Sequence, residues 1–391
     1  MSTQTTIEPS IPKSKVPKLS VVIDLGTSCI KSLYLKGRRG KLKYLVSSPV
    51  VCPTSSPQGD ATYIKFPEDE VYYLVGDSAA QTKLQPSIRQ LKSESIVFKT
   101  LGIIGQIAQE ESLPEQFGLS LSLLLPISEL NEQEFCRAEL LKGFSSFNYS
   151  GNNYRIIDSK VEFKPEGSGV CSYILRTTDT SNIKSQVYVY LMFGYRNTSM
   201  LLVEKGKLNP RSSQSTDLGF YNYLDLIVRY SSGLYREDIQ RAIVSEAIYQ
   251  VEPNCQRTIA GFSSEIRIED LVRGSNSNRE RSKIMITDAI KRADAEYWQM
   301  LSSWLEEFLP PLGQVHQIIY CGGGANFIKP KILEYFGDWE GKLDSADTMS
   351  LQILERLNLT PTARDIFIAN CLSIRLADAW GELIRLANIK V

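Results

Sequence analysis

Residues 19–37, LSVVIDLGTSCIKSLYLKG, decide how this chain is interpreted. The part that ends at Asp24 is a short run of apolar and β-branched residues, which predicts a buried strand. A polar turn follows, and residues 30–36 predict a second strand. After a further turn, residues 41–48 predict a third strand. The chain therefore opens with a β-meander whose first turn contains a carboxylate, a glycine, two hydroxyls and Lys31.

This first turn has the composition of a phosphate cradle. Gly26 lets the backbone approach a ligand closely, and Thr27 and Ser28 add hydroxyl donors. Lys31, at the start of the next strand, can return to the same pocket, where Asp24 can orient hydrated Mg²⁺. A plain β-turn containing Gly and Thr is the alternative that these residues alone leave open.

A second hairpin of similar design follows about 170 residues later. Residues 187–206, VYVYLMFGYRNTSMLLVEKG, again predict strand, polar turn, strand and glycine turn. The spacing from Met192 to Gly206 is close to that from Asp24 to Gly37, which indicates an internal duplication. Two unrelated hairpins that look alike are the alternative.

A third feature is the strand that runs into three glycines in residues 315–326, VHQIIYCGGGAN. Glycines between a strand and a helix allow the backbone to approach a ligand, and a simple glycine turn is the alternative. Neither the G-x-G-x-x-G nor the P-loop pattern is present. Amphipathic helices are predicted from about Ser282 to Phe308 and from about Thr362 to Leu386, and strands alternating with such helices predict an α/β fold.

Composition excludes several classes of protein. The 44 Lys and Arg residues balance 44 Asp and Glu, which argues against a protein that coats nucleic acid electrostatically. A single histidine excludes most zinc sites and Ser-His-Asp centres. The seven cysteines form no C-x-x-C pair, as is typical of a reduced cytosolic protein. No run reaches the ~18 apolar residues of a membrane span, so we expect a cytoplasmic protein without membrane insertion.

The two hairpin loops and the glycine-rich strand end, in this order, resemble the actin, sugar kinase and heat-shock chaperone superfamily over about residues 19–391. The chain is most similar to bacterial actin-like proteins of the ParM (plasmid segregation) type. Residues 125–129, Leu-Pro-Ile-Ser-Glu, match that family's Leu-Pro-x-x-Glu segment, and residues 362–381 resemble its final helix. The resemblance implies a two-lobed α/β actin-like fold, with duplicated mixed-sheet domains and a nucleotide cleft between them.

The composition of residues 1–18, with few apolar residues, predicts a disordered tail. For the rest of the chain, the resemblance implies a domain organisation. Domain I is expected to cover 19–185, with a small subdomain at about 45–100, and domain II to cover 186–361. The C-terminal helix, 362–391, is expected to pack back on domain I.

The resemblance assigns roles to particular residues. ATP phosphates would be held by the two hairpin loops, through Gly26, Thr27, Ser28 and Lys31 and through Gly194, Arg196, Asn197 and Thr198. The α-phosphate and adenosine would face Gly322, Gly323 and Gly324. Asp24 would act on Mg²⁺ through water, and Glu129 would orient the attacking water. The alternatives are a dipole-stabilising Glu129 at a helix start and a surface ion pair for Arg196.

One departure from the family pattern concerns the second loop. Met192 and Ser199 stand where the family usually has aspartates. Methionine cannot hold a hydrated cation or accept a strong hydrogen bond. We therefore expect ATP binding to survive and hydrolysis to be slow, so that an enzyme activity, if any, is that of a slow Mg-dependent ATPase.

The resulting functional prediction is an ATP-binding protein that assembles with itself into filaments. It would serve plasmid segregation through a DNA-binding adaptor of the ParR type, without touching nucleic acid itself, or serve as a cytoskeletal filament in cell shape. The alternative is a non-polymerising small-molecule kinase of the same superfamily. The sequence does not choose between ATP and GTP.

Overall fold

Two β-sheets, with helices between them and on their outer faces, make up the described part of the chain. The structure is a computed structural model, which describes residues 16–82 except 38, 91–178, 183, 185–243 except 232 and 241, 271–272, and 276–390 except 370. A tail is predicted for residues 1–18. Residues 1–15 of it lie outside the described residues, and the first strand begins at Lys18.

The first sheet has nine strands in the order β3-β2-β1-β7-β9-β8-β5-β6-β4. These strands are β1 (Lys18–Asp24), β2 (Ile30–Lys36), β3 (Lys43–Ser47), β4 (Val51–Thr54), β5 (Tyr63–Lys65), β6 (Tyr72–Val75), β7 (Gln116–Leu125), β8 (Phe147–Tyr149) and β9 (Asn152–Pro165). The predicted opening meander is confirmed, because β1 pairs antiparallel with β2 and β2 antiparallel with β3.

The second sheet has the order β12-β11-β10-β14-β15, and β13 pairs with β11. Its strands are β10 (Val187–Phe193), β11 (Thr198–Glu204), β12 (Lys207–Leu208), β13 (Gln214–Thr216), β14 (Gln317–Cys321) and β15 (Lys342–Ser345). The order within this sheet repeats the first five strands of the other sheet, with β10 in the place of β1. The repeat supports the predicted duplication.

Strand register makes the two hairpins equivalent residue by residue. Asp24 lies opposite Lys31 across the first hairpin, and Met192 lies opposite Ser199 across the second. Both turns close tightly: a Cβ atom added at Gly26 would lie 2.5 Å from the Cys29 carbonyl oxygen, and one at Gly194 would lie 2.7 Å from the Asn197 carbonyl oxygen. A side chain at either glycine would therefore force the turn open.

The helices of the described residues flank these sheets. They are α1 (Gly76–Ala80), α2 (Ile96–Glu110), α3 (Gln133–Ser145), α4 (Ser168–Thr177), α5 (Phe220–Tyr230), α6 (Asn276–Phe308), α7 (Ala325–Tyr335), α8 (Asp347–Leu357), α9 (Pro361–Ala369), α10 (Leu372–Arg375) and α11 (Ala377–Leu386). Short 3₁₀ segments cover Ile127–Glu132 and Leu312–Gln314.

Three apolar clusters hold the layers together. The first lies between the first sheet and helices α2 and α3, and the third between the second sheet and helices α5, α6 and α7. The middle cluster takes residues from both sheets and packs them against α4, α8 and α11. Burial of each Val, Leu or Ile side chain contributes about 1.5–3 kcal/mol. Because the middle cluster contains residues of both sheets, it joins the two lobes.

The C-terminal helix prediction was wrong in one respect. Residues 362–386 do not form one helix, because the chain breaks between α9 and α10, where Cys371 has a left-handed φ of 52°. Helix α11 packs against α4 and strand β1. The helix predicted from about Ser282 is confirmed but begins earlier, at Asn276.

Candidate functional site

Three carboxylates follow three neighbouring strands of the first sheet. Strand β1 runs parallel to β7, and β7 runs parallel to β9, so their carboxyl ends lie at one edge. Asp24 ends β1, Glu129 follows β7, and Glu166 follows β9. All three are buried. Buried carboxylates need cations or hydrogen-bond donors, and the structure supplies both.

Asp24 is held between two lysines. Its Oδ2 lies 2.6 Å from Lys31 Nζ, and its Oδ1 lies 3.1 Å from Lys92 Nζ. Burial alone would raise the pKa of Asp24, but the two ammonium groups outweigh burial and hold this pKa well below its usual range. Asp24 is therefore an anion at any physiological pH.

Glu166 connects Lys92 with the second hairpin loop. One of its carboxylate oxygens pairs with Lys92 Nζ, and the other accepts a hydrogen bond from Asn197 Nδ2 at 3.0 Å. Asn197 Nδ2 is also 3.3 Å from Ser199 Oγ. Glu166 thus links a strand end of the first sheet to a loop of the second.

Glu129 is engaged at both of its oxygens. Oε1 pairs with the Arg196 guanidinium of the second loop. Oε2 accepts the backbone N–H groups of Lys92, at 2.6 Å, and Ser93, at 3.2 Å. Glu129 therefore fixes the segment that carries Lys92 and ties it to the second loop.

The remaining predicted residues of the second loop are placed differently. The Thr198 hydroxyl donates to the Leu218 carbonyl at 2.6 Å, so this hydroxyl serves the fold. Met192 is buried in the middle apolar cluster, where its sulfur lies 3.7 Å from Cys321 Sγ. An aspartate in place of Met192 would enter an apolar environment.

The three glycines after β14 pack against the second hairpin. The Gly324 amide donates to the Phe193 carbonyl at 2.9 Å. Gly322 has a φ of +95°, and a Cβ there would lie 2.4 Å from the same carbonyl oxygen. A larger residue would therefore not fit at Gly322. The absence of side chains in this turn would also let a ligand approach the backbone closely.

Arg375 joins the first loop to the glycine turn. Its Nη2 lies 3.1 Å from Ser28 Oγ and 2.7 Å from Cys29 Sγ. A Cβ added at Gly323 would lie 3.1 Å from Cγ of Arg375. A guanidinium between these two loops is a strong anion-binding group.

Asp378 organises the start of α4, directly after Glu166. Its carboxylate accepts the backbone N–H groups of Gly167 and Gly169, both at 2.7 Å, and of Val170 at 3.3 Å. Burial raises the pKa of Asp378 to about 7, although these amide donors act in the opposite direction. A side chain from α11 thus fixes the turn that presents Glu166.

The structure brings together Asp24, Lys31, Glu129, Arg196 and Asn197, which the sequence had singled out. It adds four residues that sequence reasoning missed: Lys92, Glu166, Arg375 and Asp378. Only Glu166 carried a usable signal, since it follows a proline that ends a strand and precedes a glycine, as a loop-borne polar residue often does.

The composition of this cluster limits the metal ions that it could hold without a ligand. Within the described ranges, no three His, Cys, Asp or Glu side chains are grouped so that they could hold a metal ion. A cation here would need oxygen atoms from a ligand as well, as is common for Mg²⁺. Among the described helices, none is long and apolar enough to cross a bilayer.

Comparisons with known proteins agree with this architecture. Residues 269–343 match the family model of the Alp7A C-terminal domain. No curated protein matches the sequence of this chain.

Solved structures similar to the chain include the psk41 ParM protein in apo form, with 14% identity, a TM-score of 0.55, and coverage of 94% of this chain and 98% of that one. Bacillus thuringiensis ParM with ATP has 17% identity, a TM-score of 0.53, and coverage of 91% and 98%. An archaeal actin homolog in complex with ADP has 15% identity, a TM-score of 0.53, and coverage of 92% and 98%.

These likenesses define the class of the molecule as a two-lobed α/β protein with the actin-like fold. The particular resemblance expected from the sequence, to actin-like proteins of the ParM type, is confirmed as a likeness of fold, and residues 269–343 are similar in sequence to the Alp7A C-terminal domain.

Proposed function

We propose that the chain binds a nucleoside triphosphate between its two lobes and assembles into filaments. The observation that carries the proposal is the set of charged side chains joining both hairpin loops, with Lys31, Lys92 and Arg196 as cations facing three carboxylates. Cations on loops at strand ends are the usual partners of phosphates. Similar structures that contain ATP or ADP support nucleotide binding by this fold.

Within the part of the chain that the structure describes, two buried hydroxyl groups close in sequence to Lys92 and Glu166 lack hydrogen-bond partners, which a phosphate could supply. The hydroxyl oxygens of Ser93 and Ser168 are shielded from solvent and have no hydrogen-bond partner among the described residues. Ser93 follows Lys92, and Ser168 lies two residues after Glu166. Shielded hydroxyls without partners are costly, and a bound anion would satisfy them.

The roles proposed for the loops follow from these contacts. Phosphates would be bound by Gly26, Thr27, Ser28 and Lys31 in the first loop, by Gly194, Arg196, Asn197 and Thr198 in the second, and by Arg375. Thr198 would contribute through its backbone, because its hydroxyl is engaged by Leu218. The turn of Gly322, Gly323 and Gly324 would face the α-phosphate and adenosine.

Asp24 and Glu166 are the carboxylates that would hold Mg²⁺, in part through water. When bound, Mg²⁺ neutralises and orients phosphate oxygens. Glu166 supplies a second carboxylate, which shares Lys92 with Asp24. We propose Glu166, rather than Glu129, as the group that orients the attacking water. Both oxygens of Glu129 are already bound, one by Arg196 and the other by the backbone N–H groups of Lys92 and Ser93.

Assembly of the protein with itself is proposed from the actin-like fold and the match to Alp7A. A DNA-binding adaptor of the ParR type would couple filaments to a plasmid, and a cell-shape filament is the second use of the same assembly. The protein would work in the cytoplasm and would not itself contact nucleic acid, as its zero net charge favours.

Nucleotide binding is expected to depend on the first loop. Lys31→Met should weaken ATP binding about tenfold or more, because losing a charge-assisted contact costs about 1.5–3 kcal/mol. Asp24→Asn should weaken binding in Mg²⁺ and change little in EDTA. Titration with a fluorescent ATP analogue measures both. Lys36→Met, on the exposed end of the same strand, is the matched control; equal affinity in all four proteins would remove the site from this loop.

Filament formation is expected to require the triphosphate. Right-angle light scattering and negative-stain imaging at tens of micromolar protein (on the order used for actin-like assembly) should show filaments with Mg-ATP and few with EDTA. A protein that stays monomeric with Mg-ATP, yet hydrolyses ATP faster when a hydroxylated metabolite is added, would establish the kinase alternative instead.

A further inference from the structure

Lys92 occupies the centre of the charged cluster and belongs to neither hairpin loop. Its side chain is only 5% exposed. The ammonium lies 3.1 Å from Asp24 Oδ1 and pairs with Glu166 on its other side. Burial by itself would lower the pKa of Lys92, but Asp24 and Glu166 outweigh burial and raise it above the usual lysine value. The side chain is therefore a permanent cation in the interior.

The position of this cation relates it to both loops. Asp24 ends the strand before the first loop, and Glu166 is hydrogen-bonded to Asn197 of the second loop. Asp24 already has Lys31 at 2.6 Å, so Lys92 is its second ammonium partner. Glu166, by contrast, forms its ion pair with Lys92 among the described residues. The ammonium therefore neutralises a carboxylate pair that is otherwise suited to a divalent cation.

The backbone of Lys92 is fixed while its side chain is the movable part. Its N–H donates to Glu129 at 2.6 Å, as does that of Ser93 at 3.2 Å, and Glu129 is itself paired with Arg196. The lysine stem carries its ammonium on rotatable bonds. The ammonium can thus change partners without moving the segment that carries it.

We infer that Lys92 is the built-in counter-ion of the cleft: it occupies the Asp24–Glu166 pair when no nucleotide is bound, gives this pair up to a divalent cation, and then pairs with the terminal phosphate. The second part of this inference, the pairing of Lys92 with the terminal phosphate, rests on the proposed function. Lys92 makes cation binding conditional on nucleotide, because a metal ion alone must displace the ammonium while offering it no new anion.

The first experiment uses Mn²⁺ without nucleotide. Lys92→Met keeps the length of the side chain and removes its charge. We expect this variant to bind Mn²⁺ at least about tenfold more tightly than the unaltered protein, measured from the electron paramagnetic resonance signal of free Mn²⁺. Lys99→Met is the control. Lys99 is a buried lysine of the same region, 8% exposed, and among the described ion pairs it contacts neither Asp24 nor Glu166.

The second experiment measures coupling between cation and nucleotide. In the unaltered protein, Mn²⁺ affinity should rise with saturating ATP much more than with ADP, and Lys92→Met should reduce this difference at least about tenfold. Lys92→Arg retains the charge and should behave like the unaltered protein. If Lys92→Met does not fold, Lys92→Gln, whose amide can donate to both carboxylates, replaces it in both assays.

The outcomes separate this inference from the proposed function. Unchanged Mn²⁺ affinity in the neutral variants would overturn the counter-ion role, whatever the protein does with ATP. Tighter Mn²⁺ binding in those variants, together with absent ATP binding by the unaltered protein, would support the carboxylate pair as a cation site and reject the nucleotide cleft. Tighter Mn²⁺ binding with unchanged ATP-over-ADP coupling would overturn the contact with the terminal phosphate.

Discussion

Glu166→Gln is expected to slow ATP hydrolysis by about 10²–10⁴-fold while leaving ATP binding in EDTA within a few-fold of the unaltered protein. A carboxylate that orients and polarises a water contributes a factor of about this size, and glutamine retains the shape but not the charge. Glu166 suits the role because its partners are a lysine ammonium and an asparagine amide, both of which can turn to a bound phosphate. Phosphate release after mixing with Mg-ATP measures the rate.

Glu129→Gln is the matched comparison, because the two glutamates follow neighbouring strands of one edge. The sequence assigns the water-orienting role to Glu129, and that assignment predicts the same large loss of rate for this variant. The contacts of Glu129 with Arg196, Lys92 and Ser93 predict instead a smaller loss of rate and a lower free energy of unfolding. Equal slowing by both substitutions, with equal stability, would contradict the preference for Glu166.

The same assay tests the expectation of slow turnover. Met192 stands where the related pattern has a carboxylate, so the unaltered protein is expected to release phosphate over minutes or longer after assembly. Release within seconds would show that Asp24 and Glu166 suffice. Substituting Met192 with aspartate is a poor test, because Met192 lies in the middle apolar cluster and a buried unpaired charge is costly to folding.

Gly169→Ala is expected to lower the free energy of unfolding by about 3 kcal/mol or more, as overpacking of a rigid core does. A Cβ at residue 169 would lie 1.8 Å from the Asp378 carbonyl oxygen, and one at Gly381 would lie 2.0 Å from the Gly169 carbonyl oxygen. Helices α4 and α11 therefore cross with their backbones in contact, and neither backbone can yield as a flexible side chain could.

Denaturant unfolding followed by circular dichroism measures this effect. An alanine within a helix ordinarily stabilises it by about 0.5–1 kcal/mol relative to glycine, so the expected sign is opposite to that of helix propensity. Gly313→Ala is the control, since a Cβ there meets nothing within 4 Å, and it should change stability by less than about 0.5 kcal/mol. Equal unfolding midpoints for the two variants would refute the backbone contact.

The fold was largely predictable because its signals are local. The β-branched run before Asp24 and the apolar run before Met192 indicate buried strands, and glycines at 26 and 194 close the two turns. The contact between Asp24 and Lys31 was also predictable, since the two residues pair across a single hairpin. In contrast, the break of the C-terminal helix at Cys371, where φ is 52°, has no counterpart in the helical periodicity of 362–386.

The sequence by itself determined the two loops and the first carboxylate–lysine pair, because each depends on residues within about a dozen positions of one another. It indicated the actin-like arrangement through the order of these local motifs along the chain. Only the tertiary structure decided which other charges join this carboxylate–lysine pair. Lys92 lies 68 positions from Asp24 and 74 from Glu166, and Arg375 lies 347 from Ser28. These side chains carry no motif of their own, and they meet because parallel strands β1, β7 and β9 end at one edge and the C-terminal helices pack back beside them.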